Sequence, residues 1–140
     1  MNFIEAISSG LNNYFNFKDR ASKSAFWYFL LFEFIYFFIA GFLLGMMGVS
    51  EDIFSIATLF IVLPIAIPGI AVTARRIHDF GKSGWMQCIF IPGFVIDEYL
   101  GTGYVIWLVT FIIFAIYCSQ SGTNGKNKFG SKPRKYSNHP

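Results

Sequence analysis

Charged residues are scarce in this sequence, and three long stretches contain only one of them. Only 14% of the 140 residues are charged, whereas 54% are hydrophobic and 20% are aromatic. Glu33 is the single charge between Ala25 and Val49, and none lies from Ile53 to Ala74 or from Leu100 to Ser121. Each stretch exceeds the roughly 20 residues that cross a hydrocarbon core of about 30 Å. The composition excludes an ordinary water-soluble domain and predicts an integral membrane protein.

Histidine and cysteine are equally scarce, with two of each in the whole chain. His78 and Asp79 invite comparison with metal phosphohydrolases, but such sites need further His and Asp ligands, and the only other histidine is His139. We therefore predict no catalytic residues, no metal site, no cofactor and no nucleic-acid partner. An enzyme acting on lipid or phosphate through His78 and Asp79 is the least favoured class.

The apolar stretches predict an all-α membrane protein, a bundle of four transmembrane helices. The expected spans are about 25–49, 53–74, 83–97 and 100–121. The third is short, because its apolar part from Trp85 to Ile96 corresponds to about 18 Å of helix and contains Pro92. A short span and a re-entrant hairpin both fit this composition, and the span is favoured.

A separate amphipathic segment precedes the first span. Apolar residues recur in it at helical spacing, with polar residues on the other faces: Ile4, Ile7, Leu11, Tyr14 and Phe15. This pattern predicts a helix over about 3–16 that lies on the membrane surface. A helix docked on the bundle is the alternative.

The positions of the charges predict the orientation. All eleven Lys and Arg residues fall within Lys18–Lys23, Arg75–Lys82 and Lys126–Lys135, whereas the other two connections carry only acids. Basic loops stay in the cytoplasm, so four spans would leave both termini inside. We expect one membrane domain over 1–121 and a basic cytoplasmic tail over 122–140.

Three segments of the chain resemble a known family, and the resemblance extends from Phe17 to Pro133. The segments are Phe17-Lys18-Asp19-Arg20-Ala21-Ser22-Lys23 with Phe26-Trp27, Arg75-Arg76-Ile77-His78-Asp79 with Gly81, Ser83, Gly84 and Trp85, and Gly122-Thr123-Asn124-Gly125-Lys126-Asn127-Lys128-Phe129-Gly130. They resemble the DUF805 family of small bacterial inner-membrane proteins. That family is without an established activity, so the resemblance implies a bacterial inner-membrane location and a fold type rather than a mechanism.

The segment from Arg75 to Trp85 predicts a capped cytoplasmic turn. Arg76 can pair with Asp79 three residues later, Gly81 is a helix stop, and Ser83 can cap the following helix.

The turn does not explain the surplus of basic residues, and this surplus predicts a contact surface. Its partner is expected to be anionic lipid headgroups at the inner face, or a membrane or cytoplasmic protein. The candidate contact residues are Arg20, Lys23, Arg75, Arg76, His78, Asp79 and Lys82. The leading prediction is a non-enzymatic membrane component that binds its partner through this basic face.

Two features inside the spans suggest further roles. Glu33 is an acid deep in the first span, with Thr73, Gln87 and Arg75 as candidate partners, and a hydrogen-bonded neutral carboxyl is the alternative. Together with a bend at Pro64 and Pro68 it would suit a small transporter or channel subunit. Gly41 and Gly45 form a G-x-x-x-G pair, which allows helices to pack closely within the bundle or in a homo-oligomer.

Overall fold

The regular secondary structure of the described residues is helical, apart from one isolated bridge between Asn127 and Gly130. The computed structural model describes residues 1–101 and 104–133, and of residues 93, 94, 97 and 98 the backbone only. The predicted outer acids Asp97 and Glu98, and the tail residues Arg134 and Lys135, therefore lie outside the described side chains. The described helices agree with the all-α prediction.

The first helix, α1 (Phe3–Asn12), begins at a capping box. The Asn2 side chain accepts a hydrogen bond from the Glu5 backbone N–H at 2.8 Å, and the Glu5 carboxylate accepts one from the Asn2 N–H at 2.9 Å. The helix ends at Asn12, earlier than the predicted boundary near 16, and the following residues form a turn.

Two long helices follow, α2 (Lys23–Met46) and α3 (Glu51–Asp79), and both are long and apolar enough to cross a membrane. At 1.5 Å per residue they measure about 36 Å and 44 Å. α3 continues through Pro64 and Pro68, although each proline removes one backbone donor. The Tyr36 hydroxyl donates a 3.3 Å hydrogen bond to the Ile61 carbonyl and joins the two helices.

The predicted third span consists of two successive helices rather than one. It consists of a 3-10 helix (Gly84–Ile89), capped by Ser83 as predicted, and of α4 (Phe90–Leu100). Pro92 does not interrupt α4, because it lies in the first turn, where backbone N–H groups have no partner within the helix. α4 also extends through residue 97, where the sequence suggests a turn.

The last helix, α5 (Val105–Ser119), is apolar but only 15 residues long, about 23 Å. The Phe90 ring of α4 packs edge-on against Phe114, with ring centroids 5.0 Å apart, and also contacts Phe111 and Trp107 of α5. Neither α4 nor α5 reaches the length of an ordinary span, so the number of crossings remains a prediction.

The contacts divide the chain into two compact units. The first contains Met1–Phe17 and Ser24–Val72, that is α1, α2 and most of α3. The second contains Lys18–Lys23 and the described chain from Thr73 onward, that is the end of α3, the 3-10 helix, α4, α5 and the segment after them.

Candidate functional site

The second unit is built around the last turns of α3. The helix α3 continues to Asp79, five residues beyond the predicted end of the second span near residue 74. Contacts with other segments stabilise the extension: Ile77 is fully buried, and the Arg75 carbonyl accepts a 2.9 Å hydrogen bond from the Ala21 N–H. The chain turns at Gly81, whose φ of +71° favours glycine, as the predicted helix stop requires.

The Asp79 carboxylate binds two arginines, one on each oxygen. Oδ1 accepts hydrogen bonds from Arg20 Nη2 at 2.8 Å and Nε at 3.0 Å, and Oδ2 accepts one from Arg76 Nη1 at 2.6 Å. The pairing of Arg76 with Asp79 confirms the prediction from their spacing. Each of the two guanidinium groups is almost completely buried, with 1% of the side chain exposed.

The remaining donors of both arginines reach backbone carbonyls of the segment that follows α5. Arg20 donates to the carbonyls of Thr123 and Gly125 at 2.7 and 2.6 Å, and more weakly to that of Gly130 at 3.2 Å. Arg76 donates to the carbonyls of Cys118 at 2.9 and 3.1 Å and Gln120 at 2.5 Å. Arginine suits this role because its planar group offers five donors in fixed directions.

The segment after α5 makes further bonds to the end of α3. The N–H and hydroxyl of Thr123 both donate to the Asp79 carbonyl at 2.8 Å, and the Asn127 amide donates to the His78 carbonyl at 2.9 Å. Gly122 is needed here, since a Cβ would overlap the Asp79 carboxylate and lie 2.9 Å from Oδ1. Residues 122–130, predicted as part of a basic cytoplasmic tail, thus bind the end of α3 through Thr123 and Asn127.

His78 is enclosed by the same segments. Its ring stacks on Phe129 with centroids 3.7 Å apart and planes 4° from parallel, and Nδ1 lies 3.2 Å from the Asp19 carbonyl oxygen. Arg20, Arg76, Asp79 and the segment 118–130 that they bind are called the loop clasp from here on. It connects all three sequence segments that carry the family resemblance.

Most residues of the predicted contact surface are buried. Five of its seven residues, Arg20, Arg75, Arg76, His78 and Asp79, are buried, with between 1% and 8% of their surface exposed. They do not form an open face, because their side chains interact with other residues of the protein. Lys23 and Lys82 are exposed as the prediction requires.

The loop clasp offers no open coordination site. Both Asp79 oxygens accept from arginine, and among residues 1–101 and 104–133 no three or more His, Cys, Asp or Glu side chains come together in a way that would hold a metal. The arrangement is chemically suited to holding backbone segments together.

A second polar feature lies in the first unit, where Glu33 of α2 meets α3. The carboxylate occupies the space beside Gly69, since a Cβ there would overlap Oε1 and lie 2.8 Å from Cδ. The sequence suggests Thr73, Gln87 and Arg75 as candidate partners, whereas the residue that lies against the carboxylate here is Gly69. Gly69 directly follows Pro68, so Glu33 and the proline-containing part of α3 do come together.

Tyr14 also contacts this part of α3. Its hydroxyl donates a 2.7 Å hydrogen bond to the Pro64 carbonyl. That carbonyl is four residues before Pro68 and therefore lacks the usual helix donor. Nothing in the sequence indicated that the Tyr14 hydroxyl would donate a hydrogen bond to the Pro64 carbonyl.

The G-x-x-x-G pair lies on an open part of α2. A Cβ at Gly41 or Gly45 would find no heavy atom of the described residues within 4 Å. Close helix packing through these glycines, within a bundle or in a homo-oligomer, stays a prediction.

Sequence reasoning did not identify the backbone carbonyls that accept hydrogen bonds from Arg20 and Arg76. It also did not identify Thr123, Asn127, Phe129 or Gly69 as contact residues. The spacing of Arg76 and Asp79 indicated one ion pair of the clasp. Only the resemblance linked the three segments, because they are far apart in the chain and share no periodicity. Gly69 carried no signal, since a glycine in an apolar helix is ordinary.

Comparison with known proteins identifies similar chains. The family model described as "Protein of unknown function (DUF805)" matches residues 14–131. The chain is 30% identical over 128 residues to the inner membrane protein YhaH of Escherichia coli K12, covering 89% of this chain and 92% of that protein. It is also 30% identical over 131 residues to the inner membrane protein YhaI of the same strain, covering 93% and 96%. No solved structure matches it.

Proposed function

This chain belongs to the DUF805 family, and from that premise we propose that it is a non-enzymatic component of the bacterial inner membrane that binds anionic lipid headgroups through exposed lysines of its second unit. The family is of unknown function, and its two relatives above are inner membrane proteins. The proposal concerns a binding role, for which the positions of the basic residues are the main support.

One observation carries the proposal: arginine and lysine occupy different environments. The described arginines, Arg20, Arg75 and Arg76, are all buried. The described lysines are all exposed and all belong to the second unit: Lys18, Lys23, Lys82, Lys126, Lys128 and Lys132. An ammonium group is a compact point charge, which suits attraction to a charged surface better than recognition of one shaped ligand.

The second unit also supports the proposed topology. It brings together the residues before α2, the end of α3 and the end of α5, through the bonds Ala21 to Arg75 and Arg76 to Cys118. If the helices span a membrane, these three segments lie on the same side of it, and an even number of crossings separates each from the next. Four spans with both termini in the cytoplasm satisfy this, and so does a re-entrant pair of α4 and α5.

An interfacial role for α1 fits its exposed apolar side chains. Ile4 and Leu11 of α1 and Phe15 in the following turn are exposed, whereas Ala6 and Gly10 are buried and Gly10 lies against the Phe29 ring of α2. We propose that α1 docks on α2 with one face and enters the lipid interface with the other, which unites the two alternatives drawn from the sequence.

The lipid preference can be tested in nanodiscs made from a fixed mixture of phosphatidylglycerol and phosphatidylethanolamine. Lipid held by the protein after transfer to mild detergent is counted by mass spectrometry. Each lysine near an anionic surface contributes about 1 kcal/mol, so Lys23→Gln, Lys82→Gln and Lys126→Gln together should strongly reduce the enrichment of phosphatidylglycerol.

The matched control changes the same three lysines to arginine, which keeps the charge and should keep the enrichment. Equal enrichment in the glutamine variant and the wild type would refute lipid binding by these lysines. If a captured protein is lost from the glutamine variant while lipid enrichment is unchanged, the partner is an acidic protein instead.

The second candidate is a small transporter or channel subunit, and the contact between Glu33 and the Gly69 region supports it. In proteoliposomes, such a protein would carry a proton flux that the Glu33→Gln variant lacks. The wild type and the Lys variants should not differ in that flux, so the two functions are separable.

A further inference from the structure

We propose that Glu33, held against Gly69 of α3, is a site that binds and releases a proton within the membrane-spanning part of this protein. The inference is independent of the lysine surface, because it concerns the first unit alone. Three properties of the carboxylate support it: its position along α2, its contact with Gly69, and the lack of a paired positive side chain among the described residues.

The position of Glu33 is the first observation. It lies about 15 Å along α2 from Lys23, in a helix whose other side chains from Ala25 to Met46 carry no charge. The residue is half-buried, and its carboxylate points at α3 rather than away from it. A carboxylate at this depth is costly unless its charge is balanced.

Within residues 1–101 and 104–133, no positively charged side chain is paired with that carboxylate. Among the described residues, none donates a hydrogen bond to Glu33 or forms an ion pair with it. On the neighbouring elements, α3 has no ionisable side chain from Ile53 to Ala74, and on α1 the Glu5 carboxylate is paired with the Met1 amino group at 3.8 Å. The hydroxyl groups of Tyr14 and Tyr36 donate to backbone carbonyls. A bound proton is the neutralising group that remains.

Gly69 gives the site its specific shape. Any other residue would place a Cβ in the carboxylate, which lies 2.8 Å from that Cβ at its carbon and 3.2 Å at Oε2. The carboxylate therefore rests on the surface of α3 in a space that only glycine leaves open.

The site also adjoins the weakest part of α3. Pro64 and Pro68 remove two backbone donors there, and the carbonyl released by Pro68 is held by Tyr14 instead. Gain or loss of a proton at Glu33 changes the charge beside this segment. A change in the charge of Glu33 can therefore alter the conformation of α3 near Pro68.

The test uses dicyclohexylcarbodiimide, which reacts with protonated carboxyl groups in apolar surroundings. Full-length protein in lipid vesicles is labelled over a range of about pH 5 to 9, and the modified residue is found by mass spectrometry. We expect labelling at Glu33 that falls about tenfold for each pH unit once most of the group has released its proton. Labelling at Glu33 should be abolished in Glu33→Gln.

Two further variants test the geometry. Gly69→Ala should displace the carboxylate and change the rate of labelling severalfold, whereas Gly45→Ala, where a Cβ meets nothing, should label like the wild type. Glu33→Asp provides a second measurement if the Gly69 variant does not fold, because it withdraws the carboxyl from Gly69 by one methylene and should alter the pH profile.

Three results would overturn the proposal. Labelling of Glu33 that does not change with pH would indicate a permanently neutral structural carboxyl. Absence of labelling at every pH in a folded protein would exclude a proton-carrying group. Identical profiles for the wild type, Gly69→Ala and Glu33→Asp would show that the contact with Gly69 does not form the site.

Discussion

The loop clasp and the α2–α3 pair show opposite patterns of burial. In the clasp, charged side chains are enclosed, and Arg76 has only 1% of its surface exposed. In α2, large aromatic side chains are open, with Phe34 at 69% and Phe38 at 66%. A soluble protein would show the reverse in both places. This difference indicates that lipid surrounds the apolar helices, whereas the segments outside them pack around buried polar groups.

Polar groups can serve as an interior only when every donor and acceptor is satisfied. The clasp meets this condition through the many backbone carbonyls around Arg20 and Arg76, and among the described residues no buried side-chain nitrogen or oxygen lacks a partner. The helices need no such network, because their backbone groups bond within each helix and their side chains face an apolar solvent.

The largest effect should come from Asp79→Asn, which leaves two buried guanidinium groups without their counter charge. Removing one partner of a buried ion pair costs about 3–5 kcal/mol. We expect a lower midpoint of thermal unfolding in mild detergent, or loss of the folded protein. Lys82→Gln, on the exposed surface, is the control and should leave the midpoint unchanged. If Asp79→Asn unfolds at the wild-type midpoint, the clasp does not hold the second unit together.

Gly122→Ala should have the next largest effect. The added Cβ would overlap the Asp79 carboxylate and force the segment after α5 away from α3, at a cost of about 1–3 kcal/mol. Gly41→Ala places the same methyl group on the open face of α2, and its midpoint should match the wild type. Equal midpoints for the two variants would remove the contrast between the two regions.

Arg76→Lys separates charge from shape within the clasp. A lysine keeps the positive charge but cannot reach Asp79, the Cys118 carbonyl and the Gln120 carbonyl together, so about 1–2 kcal/mol should be lost. The measurement is the same unfolding midpoint, with Lys82→Arg as the control. A stable lysine variant would mean that the charge alone matters at this position.

The smallest effect is expected from Phe38→Leu, because lipid can fill the space left at an exposed position of α2. Phe29→Leu, at a side chain that is 1% exposed and packed on Gly10, should lower the midpoint by a few degrees. Comparable losses in both variants would show that Phe38 is covered by something other than lipid.

Much of the fold follows from local patterns. The long apolar stretches predict α2 and α3, and the spacing of Arg76 to Asp79, Gly81 and Ser83 predicts the ion pair, the turn and the cap that the structure contains. Periodicity could not predict the helical form of Arg75–Asp79, because that extension depends on contacts with Ala21 and with the segment after α5.

Membrane insertion and the grouping of the basic residues into three segments follow from the order of residues along the chain. Both depend on the hydrophobicity and charge of neighbouring residues, which the sequence gives directly. Which basic residues face outward depends on tertiary contacts. Arg20 and Lys23 are equivalent to any count of charge, yet one meets Asp79 across 59 positions of the chain and the other remains exposed. Contacts at that separation depend on how the helices bring their ends together, which local spacing does not encode.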